Sequence, residues 1–182
     1  PDDADVSTVA DALSMGALRG ARGNSGVILS QLFRGFSRAC KGASVMDAQL
    51  LSSALTLGCE AAYKAVMKPK EGTILTVSRM IAEEVAELAA RGANVYGLVD
   101  AMIESGERAL AKTPELLPVL KEAGVIDSGG KGLLTIYKGF KLSLDGDEIP
   151  DLPEAAETEQ AASGGAAAEM EGVPEESIEF GY

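Results

Sequence analysis

Three short segments that contain glycine carry the residue types that could bind an anionic ligand. The first glycine segment spans residues 20–26, the second spans residues 68–73 and the third spans residues 127–132. Each lies next to a stretch with helical periodicity. The free N–H groups at a helix N-terminus, together with the helix dipole, favour phosphate, and glycines let a phosphate approach the backbone closely. The sequence therefore predicts a candidate anion site in the first segment. The Thr73 hydroxyl of the second segment and the backbone and Asp127 of the third are candidate contacts to the same nucleotide.

Each segment also has a purely structural interpretation. Ser25 or Asn24 could cap a helix after a tight interhelical turn, and Thr73 could be no more than the cap of the next helix. A helix C-cap at Gly124 followed by an N-cap at Asp127 would explain the third segment. That segment is not a P-loop, because it lacks the adjacent Lys and Ser/Thr after its glycines and its flanks are helical. Taken singly, each segment leaves both interpretations open.

The composition excludes several classes of function. Among the 182 residues there is no histidine, which excludes Ser-His-Asp and Cys-His mechanisms and zinc sites that need imidazole. No basic surplus exists, and four Phe, four Tyr and no Trp leave little for base stacking, so we expect no nucleic-acid partner. Cys40 and Cys59 are predicted to be reduced core residues of a cytoplasmic protein. No apolar run reaches the roughly 18 residues of a membrane span.

Helices must position the three segments. Apolar residues recur at spacings of three and four, and no stretch of residues 1–141 alternates with a period of two, so we predict an all-α antiparallel bundle. Ser7 or Asp5, Ser44, Thr73, Asn94 and Thr113 are predicted N-caps, with Pro114 at the first helical position. The predicted helices cover about residues 5–20, 27–41, 45–67, 73–91, 95–110, 114–124 and 131–142. Short loops make successive helices antiparallel, which can bring all three glycine segments to one end.

The charge is concentrated in the C-terminal part of the chain. Residues 142–182 contain twelve acidic residues and no basic residue, which accounts for the whole net charge of −12. We therefore predict a helical domain over residues 4–143 and a disordered acidic linker over residues 144–176. Residues 177–182 alternate polar and apolar side chains again, and are predicted to start a following domain.

Three motifs in order resemble one family. These are LSMGALRGARGNSGVILSQLFRGF at residues 13–36, AYKAVMKP with EGTILTV across residues 62–77, and VIDSGGKGLL at residues 125–134. Over about residues 6–142, the chain resembles the nucleotide domain of the A subunit of bacterial fatty acid kinase. That domain is itself similar to the L subunit of dihydroxyacetone kinase.

The resemblance implies an antiparallel α-helical barrel with ATP and two Mg²⁺ ions at one end. By motif match, the phosphates would be held by Gly23, Asn24, Ser25 and Gly26. Gly72, Thr73 and Ile74 would line the nucleotide site, and Asp127, Ser128 and Gly129 would close over the ribose or adenine side. The family's partner is a separate fatty-acid-binding subunit, whose bound fatty acid becomes an acyl phosphate in phospholipid metabolism. A homodimer is a further possibility.

One departure from the family concerns the metal ligands. The family carries an Asp-Gly-Asp-Thr-Gly-type motif ahead of the first glycine segment, and Pro1-Asp2-Asp3-Ala4-Asp5 lacks its glycines and threonine. We therefore expect the chain to lack the first helices and the metal-binding aspartates of the family, to hold no metal ligand of its own and to be catalytically inactive by itself. The alternatives are a dihydroxyacetone-type kinase domain and a non-catalytic helical binding module.

Overall fold

The computed structural model describes residues 5–147, which form seven α-helices. Their bounds are α1 Val6–Gly20, α2 Gly23–Ala39, α3 Ala48–Ala65, α4 Ile74–Ala90, α5 Val95–Leu116, α6 Pro118–Ala123 and α7 Ser128–Asp145. No strand occurs within residues 5–147, which confirms the all-α prediction. Helix α7 includes residues 144 and 145, which the sequence predicts as part of the linker. The rest of the predicted linker from residue 148, and the predicted start of a following domain, lie outside the described residues.

The helices pack in an antiparallel arrangement. Each of α1 to α5 packs against its neighbour in sequence, and α7 packs onto α5 and α4. The chain alternates between two ends, so the N-termini of α2, α4 and α7 share one end, here called the glycine end. At the far end, Ser7 N donates to Ala43 O at 3.0 Å, and Gln49 Nε2 donates to Ala89 O at 3.1 Å. These bonds tie the far-end turns together.

Helix α4 contributes more buried residues to the core than any other described helix. The 3–4 spacing of the apolar residues of α4 predicts a buried stripe of Ile74, Val77, Ile81, Val85 and Leu88. The first four are buried at 4% exposure or less, and Leu88 is only partly buried. The stripe packs against apolar residues of α2, α3, α5 and α7. Burial of such side chains contributes about 1.5–3 kcal/mol each. The N-terminus of α4 is therefore held by the core of the bundle. The other members of this cluster include Leu32, Leu51, Leu55, Leu75, Leu98, Met102, Leu110, Leu133, Leu134 and Tyr137.

Two glycines allow α2 and α3 to pack closely. A Cβ atom on Gly35 would overlap the backbone of Leu57 and Gly58, and a Cβ on Gly58 would lie 2.7 Å from Leu32 O. Any larger residue would have to move a helix, at a cost of roughly 1–3 kcal/mol or more. This close contact fixes the axis of α2, whose N-terminus carries the first glycine segment.

Several helix starts differ from the predictions. Helix α2 starts at Gly23 with Arg22 at its N-cap, so the assignment of Asn24 or Ser25 as cap is wrong. Helix α3 is capped by Asp47, whose carboxylate accepts from Leu50 N at 2.8 Å, and not by Ser44. The predicted caps at Asp5, Thr73 and Asn94 are confirmed. Each misassigned start has more than one polar residue within a few positions, so that spacing alone does not choose the cap.

The prediction that Thr113 caps a helix with Pro114 at its first position is wrong. Both residues lie inside α5, and it is Pro118 that opens α6. Pro114 has no N–H for the Leu110 carbonyl, but the Thr113 hydroxyl donates to Leu110 O at 2.7 Å and takes that place. The chain leaves α6 at Gly124, which is left-handed with φ 65° as a C-cap requires.

Both cysteines are free and buried, as predicted. Burial raises the pKa of the Cys40 and Cys59 thiols above their ordinary value, which keeps them protonated and weakly nucleophilic. Among the helices of residues 5–147, none is both long enough and apolar enough to span a bilayer.

Candidate functional site

The three glycine segments meet at Gly129. A Cβ atom built on Gly129 would lie 3.2 Å from Ser25 Oγ, 3.3 Å from Asp127 Oδ2 and 3.4 Å from Ile74 Cβ. These neighbours belong to the first turns of α2 and α4 and to the N-cap of α7. Three helix N-termini therefore converge at the glycine end, as the antiparallel arrangement led us to expect.

Asp127 holds the N-terminus of α7. Its carboxylate accepts from Gly130 N at 2.6 Å, and its own N–H donates to Thr113 Oγ1 at 3.1 Å. Helix α7 starts at Ser128, so Ser128 and Gly129 lie in its first turn and not in the loop that the sequence predicted. The Asp127 side chain therefore acts as a helix cap, which agrees with the structural interpretation of this segment.

Thr73 caps α4 in a similar way. Its hydroxyl accepts from Leu75 N at 3.3 Å and donates to Lys70 O at 2.8 Å. Before it, Gly72 has φ 81°, where a side chain would be strained. A Cβ on Gly72 would also lie 2.8 Å from Thr113 O and 2.7 Å from Leu117 Cβ. Only glycine fits this position.

Thr113 joins the second and third segments. It is fully buried, and its backbone oxygen faces Gly72 while its hydroxyl accepts from Asp127 N. The turn before α4 and the turn before α7 are thereby fixed to the same residue of α5. These two turns form one interlocked unit.

The N-terminus of α2 is built differently. Its N-cap, Arg22, makes no side-chain hydrogen bond to the first turn, and Gly23 has φ 62°. Asn24 and Ser25 are exposed, and neither side chain has a hydrogen-bond partner among the residues that the structure describes. The first N–H groups of a helix have no partner within the helix. Helix α2 thus presents exposed amide donors toward the meeting point of the three turns.

Basic side chains flank the glycine end. Arg22, Lys68, Lys70 and Lys131 are exposed there, and none of the four forms a salt bridge with another residue in the described range. The Arg22 guanidinium donates to Ala21 O and Arg19 O, which holds it at the start of α2. Lysine and arginine near three helix N-termini raise the local potential and favour a polyanion.

The described residues offer no metal site. Within residues 5–147, no three His, Cys, Asp or Glu side chains are grouped so that they could hold a metal ion. Glu71 and Asp127, the acidic residues closest in sequence to the two interlocked turns, are both engaged by donors of this chain. The donor set here fits an anion and does not fit a divalent cation.

Sequence reasoning missed the residues that support the second segment. Tyr63, Thr76 and Arg79 all bond directly to Glu71. A signal was present for Thr76, because it is a polar residue inside the apolar run of α4, where a buried hydroxyl needs a partner. Tyr63 and Arg79 carried no comparable signal, since both lie on partly exposed helix faces.

Comparison with known proteins agrees with this fold. The profile of the DAK2 domain family matches residues 2–142. Protein YloV of Bacillus subtilis (strain 168) is 49% identical over 184 residues, covering 100% of this chain and 33% of YloV. Uncharacterised proteins of Staphylococcus aureus strains USA300 and COL are each 48% identical over 144 residues, covering 79% of this chain and 26% of their own length. The chain thus spans about a third or less of these relatives.

Proposed function

The chain belongs to the DAK2 domain family, and we propose that it binds ATP at the glycine end as the nucleotide-binding domain of a fatty acid kinase. Domains of this family are kinase-type helical domains like the L subunit of dihydroxyacetone kinase. The names of its relatives do not specify a substrate. The proposal therefore depends on the glycine end itself and on the motifs that resemble fatty acid kinase.

The observation that carries the proposal is the contact of Ser25, Ile74 and Asp127 with Gly129. The exposed Ser25 and the partly exposed Gly129 bring the first turns of α2 and α7 together beside the buried start of α4, an arrangement that a polyphosphate can use and a single capping interaction does not need. We assign the phosphates to the exposed first turn of α2, residues 23–26. Residues 72–74 and 127–129 then form the opposite wall, toward the nucleoside.

The protein's own groups bind and orient the nucleotide. The amides of Gly23 and Asn24 donate to phosphate oxygens, the Ser25 hydroxyl adds a donor, and Arg22 and Lys131 contribute positive charge. Holding the transferable phosphoryl group in place is most of what an enzyme contributes to this reaction. A metal ion would supply further charge neutralisation. Residues 5–147 contain no group of side chains that fits a metal ion.

We further propose that the phosphoryl acceptor is a fatty acid held by a second protein. In the part of the chain that the structure describes, the enclosed apolar cavity between α2, α3, α5 and α7 has a volume of about 60 Å³, far below the roughly 300–1,000 Å³ of a usual ligand pocket. A larger apolar groove of about 380 Å³ lies between α3 and α4, but it is open to solvent and would leave an acyl chain partly exposed. A long acyl chain gains about 0.8 kcal/mol for each buried CH₂ group, so its burial would come from a carrier protein.

Dihydroxyacetone is the alternative acceptor, and the family match is the observation that favours it. One assay separates the two. The full-length gene product is incubated with ATP, Mg²⁺ and either dihydroxyacetone or a fatty acid, the latter with and without a fatty-acid-binding protein. We expect acyl phosphate only when the carrier is present. Acyl phosphate without a carrier would overturn the carrier proposal, and turnover of dihydroxyacetone would replace the fatty acid.

A further inference from the structure

A hydrogen-bonded cluster of side chains holds the loop before α4. It lies apart from Gly129, where the three glycine segments meet. Glu71 is its centre. Its Oε1 accepts from the Tyr63 hydroxyl at 3.1 Å, and its Oε2 accepts from Thr76 Oγ1 at 2.7 Å and from Arg79 Nη2 at 2.9 Å. We call these four residues, Tyr63, Glu71, Thr76 and Arg79, the Glu71 cluster. It connects the end of α3, the loop and the first two turns of α4.

The cluster reaches the glycine end through Thr76. The Thr76 hydroxyl donates to Glu71 and also accepts from Gly72 N at 2.8 Å, and Thr76 is fully buried. On its other side, Gly72 packs against Thr113 O and Leu117. Gly72 is therefore fixed by a hydrogen bond on one side and by close packing on the other. Thr73, the cap of α4, follows directly.

Arg79 keeps the Glu71 carboxylate in one orientation. Its guanidinium also binds Glu83 at 3.1 and 3.2 Å, and its Nε donates to the Tyr63 hydroxyl at 3.3 Å. Burial would raise the pKa of Glu71, but the hydrogen bonds from Thr76, Arg79 and Tyr63 outweigh it and lower that pKa. Glu71 is therefore ionised at neutral pH and remains a strong acceptor for all three donors.

Stability alone explains such a cluster poorly. The Glu71 side chain is 47% exposed and that of Arg79 is 37% exposed, and ion pairs at that exposure contribute little to folding. Four side chains nevertheless converge on a single loop of fixed backbone conformation. What they define is the geometry of Gly72 and Thr73.

We propose that the Glu71 cluster positions the Gly72–Thr73 turn for nucleotide binding, with Thr76 as the connecting residue. The inference rests on the proposed function of the glycine end. None of the four residues needs to touch the nucleotide, so they are positioning residues. Their loss would allow the turn to move away from the α2 and α7 N-termini, which weakens binding of the nucleotide more than it slows phosphoryl transfer once the nucleotide is bound.

The test uses the full-length gene product with three variants. Thr76→Val removes the connecting hydroxyl at nearly constant volume, and Thr76→Ser keeps it. Thr56→Val is the matched control, since the Thr56 hydroxyl bonds only to Ser52 O of its own helix in the described structure. We expect Thr76→Val to raise KM for ATP about tenfold with kcat within about twofold, while the Thr76→Ser and Thr56→Val variants stay near wild type. Hydrogen exchange at the Gly72 amide should increase in Thr76→Val alone.

Glu71→Gln provides a second test in case Thr76→Val does not fold. It keeps the shape of an exposed side chain but removes its charge, and should raise KM for ATP in the same direction. If both variants bind ATP as the Thr56→Val control does, the inference is wrong while the proposed function stands. If the wild-type protein binds no nucleotide, the proposed function is wrong and this inference with it.

Discussion

The N-terminus of α2 and the N-termini of α4 and α7 meet at one point but are held in opposite ways. Thr73 and Asp127 cap α4 and α7, and both turns are anchored on Thr113. Helix α2 has no side-chain cap, although α1, α3 and α5 at the far end all have one. Among the six longer helices of residues 5–147, the uncapped N-terminus is therefore the one that faces the two interlocked turns.

This difference separates two tasks. The side chains of the two capped turns are engaged in internal hydrogen bonds, so these turns form a rigid wall whose position does not depend on a ligand. The first turn of α2 keeps its amides and the Ser25 hydroxyl exposed, so an anion can supply the missing cap. Substitutions in the two regions should consequently differ: those in α2 should affect ligand binding, and those in the capped turns should affect stability as well.

The largest effect is expected from a negative charge in the first turn of α2. Asn24→Asp is nearly isosteric, and an acidic residue in a first turn stabilises a helix by about 0.3–1 kcal/mol. A carboxylate about 4 Å from a phosphate costs roughly 1–4 kcal/mol, so ATP affinity should fall about 100-fold. Calorimetric titration and thermal melting of the full-length protein would measure both quantities.

The matched control for Asn24→Asp is Asn94→Asp. Asn94 caps α5 at the far end, where its side chain accepts from Gly97 N at 2.9 Å, and aspartate caps equally well. This variant should keep both ATP affinity and melting temperature. Equal loss of ATP affinity in the two variants would show that net charge, and not the site on α2, determines binding.

Removing the cap of α7 should have the next largest effect. Asp127→Ala leaves Gly130 N without its acceptor, and we expect a loss of about 1–2 kcal/mol in the free energy of unfolding together with weaker ATP binding. Denaturant unfolding measures the free energy of unfolding, and calorimetric titration measures the affinity for ATP. Asp127→Asn should restore most of the stability, because asparagine also caps. A variant with weaker binding but unchanged stability would mean that Asp127 contacts the ligand and does not cap the helix.

Ser25→Ala should have a smaller effect, confined to binding. The Ser25 hydroxyl has no partner among the described residues, so its loss should leave the melting temperature unchanged. ATP binding should weaken by about 1 kcal/mol or more, the scale of a hydrogen bond to a charged group. A lower melting temperature with unchanged ATP affinity would contradict this, because it would show that the Ser25 hydroxyl stabilises the fold and does not bind the ligand.

The smallest effect concerns pH. The pKa of Glu71 lies below its ordinary value of 4.5, so the ionised carboxylate stabilises the folded state above about pH 4.5. That contribution is lost as the pH falls through the folded-state pKa. The difference in melting temperature between wild type and Glu71→Gln should therefore shrink on going from about pH 7 to about pH 3. A difference that does not change with pH would show that Glu71 ionises alike in the folded and unfolded chain.

Much of the fold could be predicted, because a helix that starts after an isolated capping residue can be recognised from the sequence. Thr73 and Asn94 were assigned correctly for this reason, and so was the stripe of α4. The sequence predicts a cap at Ser44, but Asp47, three residues further on, is also a capping residue type and is the one that caps α3. Pro114 could not be placed inside a helix from sequence, since that depends on the Thr113 hydroxyl replacing a missing N–H.

The location of the site could be predicted from the sequence, but the residues that hold its turns in place could not. The alternation of antiparallel helices indicated that the three glycine segments share an end, and their contact at Gly129 agrees with this. The roles of Thr113 and of the Glu71 cluster depend on contacts between residues distant in sequence, such as Tyr63 with Arg79. Assignment of the segments to nucleotide binding stays a prediction.

Hydrogen exchange of the full-length protein with and without Mg-ADP tests the central claim most directly. If the three N-termini form one nucleotide site, ADP should protect amides in residues 22–27, 71–76 and 127–131 together. Residues 40–48 and 90–97 at the far end should not change. Protection confined to the far end, or to one of the three segments alone, would contradict a shared site.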